Sequence, residues 1–282
     1  MSRKADKRKP LPPMGTDKHV LYSASVQSTD ADLDFIERVY RNKRHKQAHR
    51  LREDFCGTAL LSVDWVERRR GNEAWGIDLD LPTLDWGRKH YIDRMKKDAK
   101  KVNLMHANVL TAKTPPIDIA IAFNFSYFIF KKREELKNYF TSVYKALASD
   151  GVLVMDIYGG TSAPTRCWEE RVIRNAVTPD GDKLPRFKYA WEHETFNAVT
   201  NELLTHIHFK YRGYPWMRRV FTYDWRLWSV PEVREILEEV GFASSDAFSH
   251  GWGADGESDH VYRKRTKIIN EEGWVGYIAA YK

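Results

Sequence analysis

The sequence predicts an α/β fold: a mostly parallel sheet with helices on both faces, and an antiparallel β insertion after the fifth strand. Three observations predict it. Between residues 45 and 160, short apolar or β-branched segments alternate with stretches of helical spacing, as parallel strands joined by crossover helices require. Leu51-Arg52-Glu53-Asp54-Phe55-Cys56-Gly57-Thr58-Ala59 reads as a strand and a tight glycine turn, followed about twenty residues later by a second strand ending in acid, Gly76-Ile77-Asp78-Leu79-Asp80. Beyond residue 187 the pattern changes to the alternation of half-buried antiparallel strands.

Each element follows in order. Thr29-Asp30-Ala31-Asp32 offers a helix start, with Leu33, Ile36, Val39 and Tyr40 at helical spacing behind it. After the first strand and the Gly57 turn, Leu60 to Arg70 reads as a helix, and Leu84 to Met95 as another behind the second strand. Val102 to His106 is the third strand. Thr114-Pro115-Pro116 breaks the chain before Ile117 to Phe123, whose apolar run marks a strand buried on both faces. A helix from about Lys132 to Ala148 carries Leu136, Tyr139, Phe140 and Val143 on one stripe, and Ser149-Asp150-Gly151 ends it before the buried strand Val152 to Ile157. Residues 189–194 and 204–209 alternate as antiparallel strands with one face packed and one wet. Ser229-Val230-Pro231-Glu232 supplies a cap, a proline just inside and an acid for a helix that stops at Gly241-Phe242. Trp274 to Tyr281 closes the sheet.

Composition narrows the class. A chain of 282 residues holds one large core, or one core plus a substantial insertion. The net charge of +7 is concentrated at the start: Arg3, Lys4, Lys7, Arg8 and Lys9 against Asp6 alone. Residues 1–15 are therefore expected to be a disordered basic leader, and the rest is only mildly basic, which gives a nucleic-acid partner weak support. No run approaches the ~20 apolar residues that span a bilayer, and no apolar segment of the kind found in secretory signals follows the basic start. Two cysteines, Cys56 and Cys167, make neither a disulfide framework nor a four-ligand zinc site. A cytoplasmic protein without a membrane partner or a bound metal is expected.

A glycine turn at a helix start, with a carboxylate at the tip of the next strand, suits a nucleoside-bearing cofactor: the backbone approaches closely and the acid accepts from ribose hydroxyls. In their order and spacing these segments resemble the class I S-adenosylmethionine-dependent methyltransferases of the small-molecule type. Glu53-Asp54-Phe55-Cys56-Gly57-Thr58-Ala59 looks like their first motif, and Gly76-Ile77-Asp78-Leu79-Asp80 like the second-strand motif. His106-Ala107-Asn108-Val109 and Phe123-Asn124-Phe125-Ser126-Tyr127 fall where the third- and fourth-strand motifs do, and residues 147–157 look like the fifth strand with the end of its helix. Two departures stand out. Phe55 and Ala59 replace the first and last glycines of the turn, and Asn108 replaces an aspartate.

The resemblance implies a Rossmann-like, doubly wound sheet of seven strands and a single domain over 16–282, with a core at about 45–160 and 229–282 and a substrate lid at about 161–228. It implies S-adenosyl-L-methionine as methyl donor and S-adenosyl-L-homocysteine as product. Carried over by residue, Glu53 accepts from the donor's ammonium, Gly57 lets the chain pass under the methionine portion, Asp78 takes the ribose hydroxyls and Leu79 packs on adenine. Asn108, with Val109 beside it, meets the adenine edge. Phe55 lies in the turn with its ring against the cofactor or away from it, and Tyr22, ahead of the first helix, closes over it. Asn124, Tyr127 and His193 are the catalytic candidates; Asn124 also reads as a turn residue. Asp54 and Asp80 point away, and Cys56 reads as packing. His206 and His208 share a strand face without an acid or cysteine in sequence to complete a metal site, and are expected at the surface or a pocket edge. The acceptor is read as a small molecule. The alternatives are an RNA- or protein-directed methyltransferase, suggested by Arg212, Arg218, Arg219 and Arg263-Lys264-Arg265, and an inactive cofactor-binding protein, suggested by the eroded glycines. A dehydrogenase is disfavoured by the absence of Gly-x-Gly-x-x-Gly.

Overall fold

The structure, a computed structural model, describes residues 17–251, 259 and 261–282; the expected basic leader lies outside the described residues. In chain order the elements are α1 (Lys18–Val26), α2 (Thr29–Arg44), β1 (Arg50–Asp54), α3 (Leu60–Arg68), β2 (Glu73–Asp78), α4 (Leu81–His90), β3 (Val102–His106), β4 (Ile117–Ala122), α5 (Arg133–Ala146), β5 (Leu147–Gly159), β6 (Cys167–Ile173), β7 (Phe187–Asn197), β8 (Glu202–Tyr211), β9 (Met217–Arg226), α6 (Val230–Val240), β10 (Ser244–Ser249), β11 (Arg263–Arg265) and β12 (Trp274–Tyr281). They form two compact units. The larger holds 28–165, 196–203 and 224–282; the smaller holds the residues up to 27, 166–195 and 204–223.

In the larger unit the strand order is β3-β2-β1-β4-β5-β12-β10-β11. β3, β2, β1, β4 and β5 run parallel, and β12, β10 and β11 add antiparallel to the β5 edge. The chain winds outward from β1 to β3, then returns to β4 on the other side of β1. That reversal falls between β1 and β4, and the C-terminal ends of strands at such a point are where sheets of this kind take ligands. Leu51, Ile119, Ile121, Val152 and Val154 fill the strands' interior, and α2 and α3 add Leu33, Ile36, Val39 and Trp65 to the same core. Eight strands are described rather than the seven expected; the extra one is the three-residue edge strand β11.

Several boundaries differ from the sequence reading, for physical reasons. Helix α4 stops at His90 and gives way to a 3-10 stretch, Ile92–Lys101, broken at Lys96 with φ of 53°. The break expected at residues 149–151 is absent, because β5 starts at Leu147 opposite Ile117 and absorbs the turn through a bulge. Residues 18–26, expected ahead of any helix, form α1, capped by the Asp17 side chain on His19 N–H at 2.8 Å. The α6 capping box forms as read, with Glu232 accepting from Ser229 N–H at 2.9 Å.

The smaller unit is built on a sheet of order β6-β7-β8-β9. Strand β8 is not wet on one face: Thr205 to Phe209 are all buried.

Inside the larger unit, Arg52 and Asp54 are wholly buried 2.8 Å apart. Asp54 also accepts from Tyr139 Oη at 3.0 Å, and Arg52 donates to the Val109 carbonyl at 2.8 Å. Arg52→Met would strand a buried carboxylate, so we expect a stability loss of about 3–5 kcal/mol in denaturant unfolding. A loss below about 1 kcal/mol would place the pair among those that contribute little.

Candidate active site

The turn after β1 is left-handed at three positions. Phe55, Gly57 and Ala59 have φ of 59°, 53° and 57°. Phe55 and Ala59 stand where the resemblance has glycine, and the backbone shows why glycine suits them: each non-glycine residue in this region costs roughly 1–2 kcal/mol. At Gly57 the N–H donates to Asp78 Oδ2 at 2.8 Å, and Asp80 N–H donates to Asp78 Oδ1 at 2.9 Å. The bend after β1 and the acid at the end of β2 thus occupy one place. A Cβ on Gly57 would meet only Thr83 Cγ2, at 3.9 Å, so this side of the turn is open to an approaching ligand. Behind it the packing is tight. A Cβ on Gly87 of α4 would lie 2.1 Å from the Thr58 carbonyl oxygen, so the helix reaches the turn only because residue 87 lacks one.

Glu53 and Asp54 face different surroundings, as neighbours on a strand do. Glu53 is 7% exposed, and its Oε2 accepts from the Ser62 N–H at 3.0 Å and from the Ser62 hydroxyl. Its Oε1 has no hydrogen-bond partner among the described residues. Burial without a cation pushes its pKa up to about 8, against the two hydrogen bonds from Ser62. Asp54 is tied to Arg52 and Tyr139, and Asp80 caps α4 through Thr83 N–H at 3.2 Å, so both acids set aside in the sequence have structural work. Burial pushes the Cys56 thiol well above its ordinary pKa, and the side chain packs with Ala59 and Leu84.

The end of β4 is held by an acid the sequence reading passed over. Asn124 and Phe125 are both left-handed, with φ of 56° and 55°. Asp156 on β5 accepts from Asn124 N–H at 2.7 Å and Phe125 N–H at 2.9 Å. Burial pushes the Asp156 pKa up to about 8, against those backbone bonds. An acid inside the apolar run Val152-Leu153-Val154-Met155-Asp156-Ile157 was the signal available. Gly87, an isolated glycine inside a helical pattern, was another.

The remaining expected residues fall in varied places. Leu79 is 63% exposed at the tip of β2. Asn108 is exposed, and its Oδ1 accepts from Leu110 N–H at 2.9 Å, so part of its acceptor capacity is spent in a local turn. Val109 is buried, and its carbonyl accepts from Arg52 and from Ser142 Oγ, the latter at 3.0 Å. The Phe55 ring packs toward Phe130 and Tyr139, with centroids 6.1 and 5.7 Å away. Tyr127 requires a correction. It is 0% exposed, its ring packs on Phe128 and Phe140, and its hydroxyl pKa is pushed well up by burial, so it is a core residue.

Tyr22 and His193 belong to the smaller unit. Tyr22 lies in α1, 4.9 Å from the Phe221 ring, and His193 is buried on β7, 4.5 Å from the Trp191 ring. His206 and His208 also need correcting: both are buried, and β7 supplies the acids that sequence order did not show. His206 Nε2 is 2.6 Å from Glu194, and His208 Nε2 is 3.0 Å from Glu192. His208 Nδ1 accepts from Arg219 N–H at 3.0 Å, which leaves the ring proton to Nε2. Among the described residues no group of three or more His, Cys, Asp or Glu is arranged to hold a metal.

A cavity of about 700 Å³ in the larger unit is lined by Tyr158, Gly160, Phe196, Trp228, Arg234 and Trp274, among others. Tyr158 packs 4.6 Å from the Phe125 ring, so this cavity adjoins the β4 tip. Of the aromatic residues after 160, Trp228 lines it, whereas Trp225 is buried against Phe125 and Phe128.

No protein-family model and no curated protein matches the chain. Solved structures match in fold. S-adenosylmethionine-bound CalS10, an amino pentose methyltransferase from Micromonospora echinaspora, matches with a TM-score of 0.65 at 13% identity, over 94% of this chain and 96% of its own. An S-adenosylmethionine-dependent methyltransferase from Clostridium acetobutylicum gives 0.63 at 14% identity, over 93% and 94%. The sugar N-methyltransferase KedS8 from Streptoalloteichus gives 0.59 at 14% identity, over 98% of each chain. The chain thus has the Rossmann-like α/β fold of these methyltransferases, with the antiparallel insertion after the fifth strand that the sequence predicts.

The two raised carboxyls set a pH dependence. Below about 8 the folded protein keeps protons on Glu53 and Asp156 that the unfolded chain has released above the ordinary carboxylate range. Folding stability should therefore fall as pH rises from the ordinary carboxylate range, about 4.5, to about 8, and level off beyond. Urea unfolding across that window checks the slope, and Glu53→Gln should make it shallower. A flat or rising profile would contradict the placement of these acids.

Proposed function

We propose that this chain is an S-adenosylmethionine-dependent methyltransferase that acts on a small-molecule acceptor. The observation that carries the reading is the 2.8 Å bond from Gly57 N–H to the Asp78 carboxylate, which joins an open glycine turn to an acid at the tip of the adjoining parallel strand. The residues suit the donor. Glu53 Oε1, without a hydrogen-bond partner among the described residues, offers an acceptor for an ammonium. Asp78 spends one lone pair of each oxygen and keeps others for ribose hydroxyls. Leu79 offers an apolar side chain to a base, and the Asn108 amide a polar contact. When bound, S-adenosylmethionine supplies a methyl group on a cationic sulfur, and S-adenosylhomocysteine is what remains. The chain's part is to align the acceptor and exclude water, which supplies most of the acceleration in a displacement of this kind.

The β4 tip bears on the acceptor. Asp156 is committed to two backbone N–H groups and Tyr127 is sealed in the core, so neither is placed as a general base. A nucleophile that attacks as a neutral amine needs none. This favours amine acceptors, in keeping with the amino pentose and sugar N-methyltransferases of the same fold. Asn124 is read as orienting the acceptor, and the aromatic cavity beside it as receiving the acceptor's apolar part. We place the reaction in the cytoplasm, in keeping with two cysteines that are both free.

Calorimetry with S-adenosylhomocysteine and a methyl-release assay over a panel of amino sugars and other amines test the proposal. Asp78→Ala should weaken S-adenosylhomocysteine binding by about 1.5–3 kcal/mol, the range for a hydrogen bond to a charged group. At pH 7 the wild type should release a proton on binding, because an ammonium beside Glu53 draws down a pKa that stands near 8 in the free protein. Binding enthalpies in buffers of different ionisation heat read this release, and Glu53→Gln should abolish it. A folded sample indifferent to both donor and product would end the proposal. Binding without turnover of any acceptor would leave a cofactor-binding protein.

A further inference from the structure

The sheet of the smaller unit gathers five cations, Arg174, Arg186, Lys188, Lys210 and Arg212, around a cavity of about 460 Å³. Strand register explains the gathering. β6 and β7 pair antiparallel with Ile173 opposite Phe187, so the chain leaves β6 through Arg174 beside the point where Arg186 leads into β7. The Phe187 and Tyr211 rings lie 5.6 Å apart, which brings the end of β8, with Lys210 and Arg212, to the same end of the sheet.

Among the described residues no aspartate or glutamate lines the cavity. Glu170 lies nearby, pairs with Lys188 at 2.6 Å and also feels the charge of Lys210, while Arg174, Arg186 and Arg212 have no ion partner among the described residues. Like charges gathered in this way repel, and an anion in the cavity relieves that repulsion.

We infer that this cavity binds a multiply charged phosphate group, carried by a small phosphorylated molecule or by a nucleic-acid backbone. Arginine forks match phosphate oxygens in bidentate fashion, and lysines add point charge. None of its lining residues is among those assigned to methyl transfer.

The test uses the full chain with two probes: inorganic tripolyphosphate by calorimetry, and a fluorescein-labelled single-stranded RNA of about a dozen nucleotides by anisotropy. One or both should bind, more weakly at about 200 mM salt than at 50 mM. The double variant Arg186→Glu with Arg212→Glu should weaken binding by about tenfold or more, with thermal midpoint and S-adenosylhomocysteine affinity unchanged. Should that variant not fold, Arg186→Gln with Arg212→Gln serves in its place. Tripolyphosphate binding without RNA binding assigns the phosphate to a small molecule; RNA binding that tripolyphosphate does not displace assigns it to a backbone; either supports the site. Absence of binding by the wild type at low salt, or undiminished binding by the charge variants, would overturn it.

Discussion

Left-handed backbone at the end of a strand leaves N–H groups that the sheet cannot take up, and in the larger unit carboxylates on neighbouring strands take them up. Asp78, ending β2, holds Gly57 in the turn after β1. Asp156, within β5, holds Asn124 and Phe125 after β4. In each case an acid on one strand fixes the conformation of the turn beside it, and the two turns flank the point where strand order reverses. The edge that meets a ligand is thus set before the ligand arrives. Such preorganisation is what a reaction limited by alignment requires.

Electrostatics distinguish the acids along that edge. Asp54 has a buried guanidinium at 2.8 Å and a tyrosine hydroxyl, and is satisfied within the fold. Glu53, one residue earlier, has only the backbone N–H and hydroxyl of Ser62, and holds a proton up to about 8. A buried carboxyl with hydrogen bonds but no cation is costly as an anion and becomes favourable as one when a positive charge arrives. The chain keeps its own arginine for Asp54 and gives Glu53 no cation. Under the proposed function, the donor's ammonium would supply it.

The alternation of strands and helices, the Gly57 turn and Asp78 were legible in the sequence because local pattern determines them. A glycine between a strand and a helix, and an acid at the next strand's end, are short-range signals. Asp156 and Ser62 were not legible in their roles, because their partners come from β4 and β1 and only the sheet brings them together. The buried pairing of His206 and His208 with Glu194 and Glu192 was hidden for the same reason: cross-strand register decides it, and alternation alone suggested a wet face. Tyr127 was misplaced by its proximity in sequence to Asn124. The 3-10 turn at Ser126–Ile129 carries it inward, where it packs on Phe128 and Phe140. In α4, helical periodicity runs on past the true end at His90, where the chain tightens into a 3-10 stretch.

The erosion of the glycine motif also takes on a physical meaning. All three turn residues keep the left-handed conformation, so the geometry survives the loss of two glycines. The two substituted positions are those whose side chains have somewhere to go. Ala59 is fully buried beside Cys56 and Leu84, and the Phe55 ring packs toward Phe130 and Tyr139. Phe55 is half-buried, so its ring gains part of the about 1.5–3 kcal/mol of full burial, which offsets some of the roughly 1–2 kcal/mol of left-handed strain. At Gly57 no such compensation exists, since an added Cβ would face open space with Thr83 as its nearest neighbour, at 3.9 Å. The glycine retained is therefore the one whose missing side chain leaves room for a ligand. The glycines lost are those whose replacement the core could absorb, and this pattern weighs against reading the motif as a decayed one.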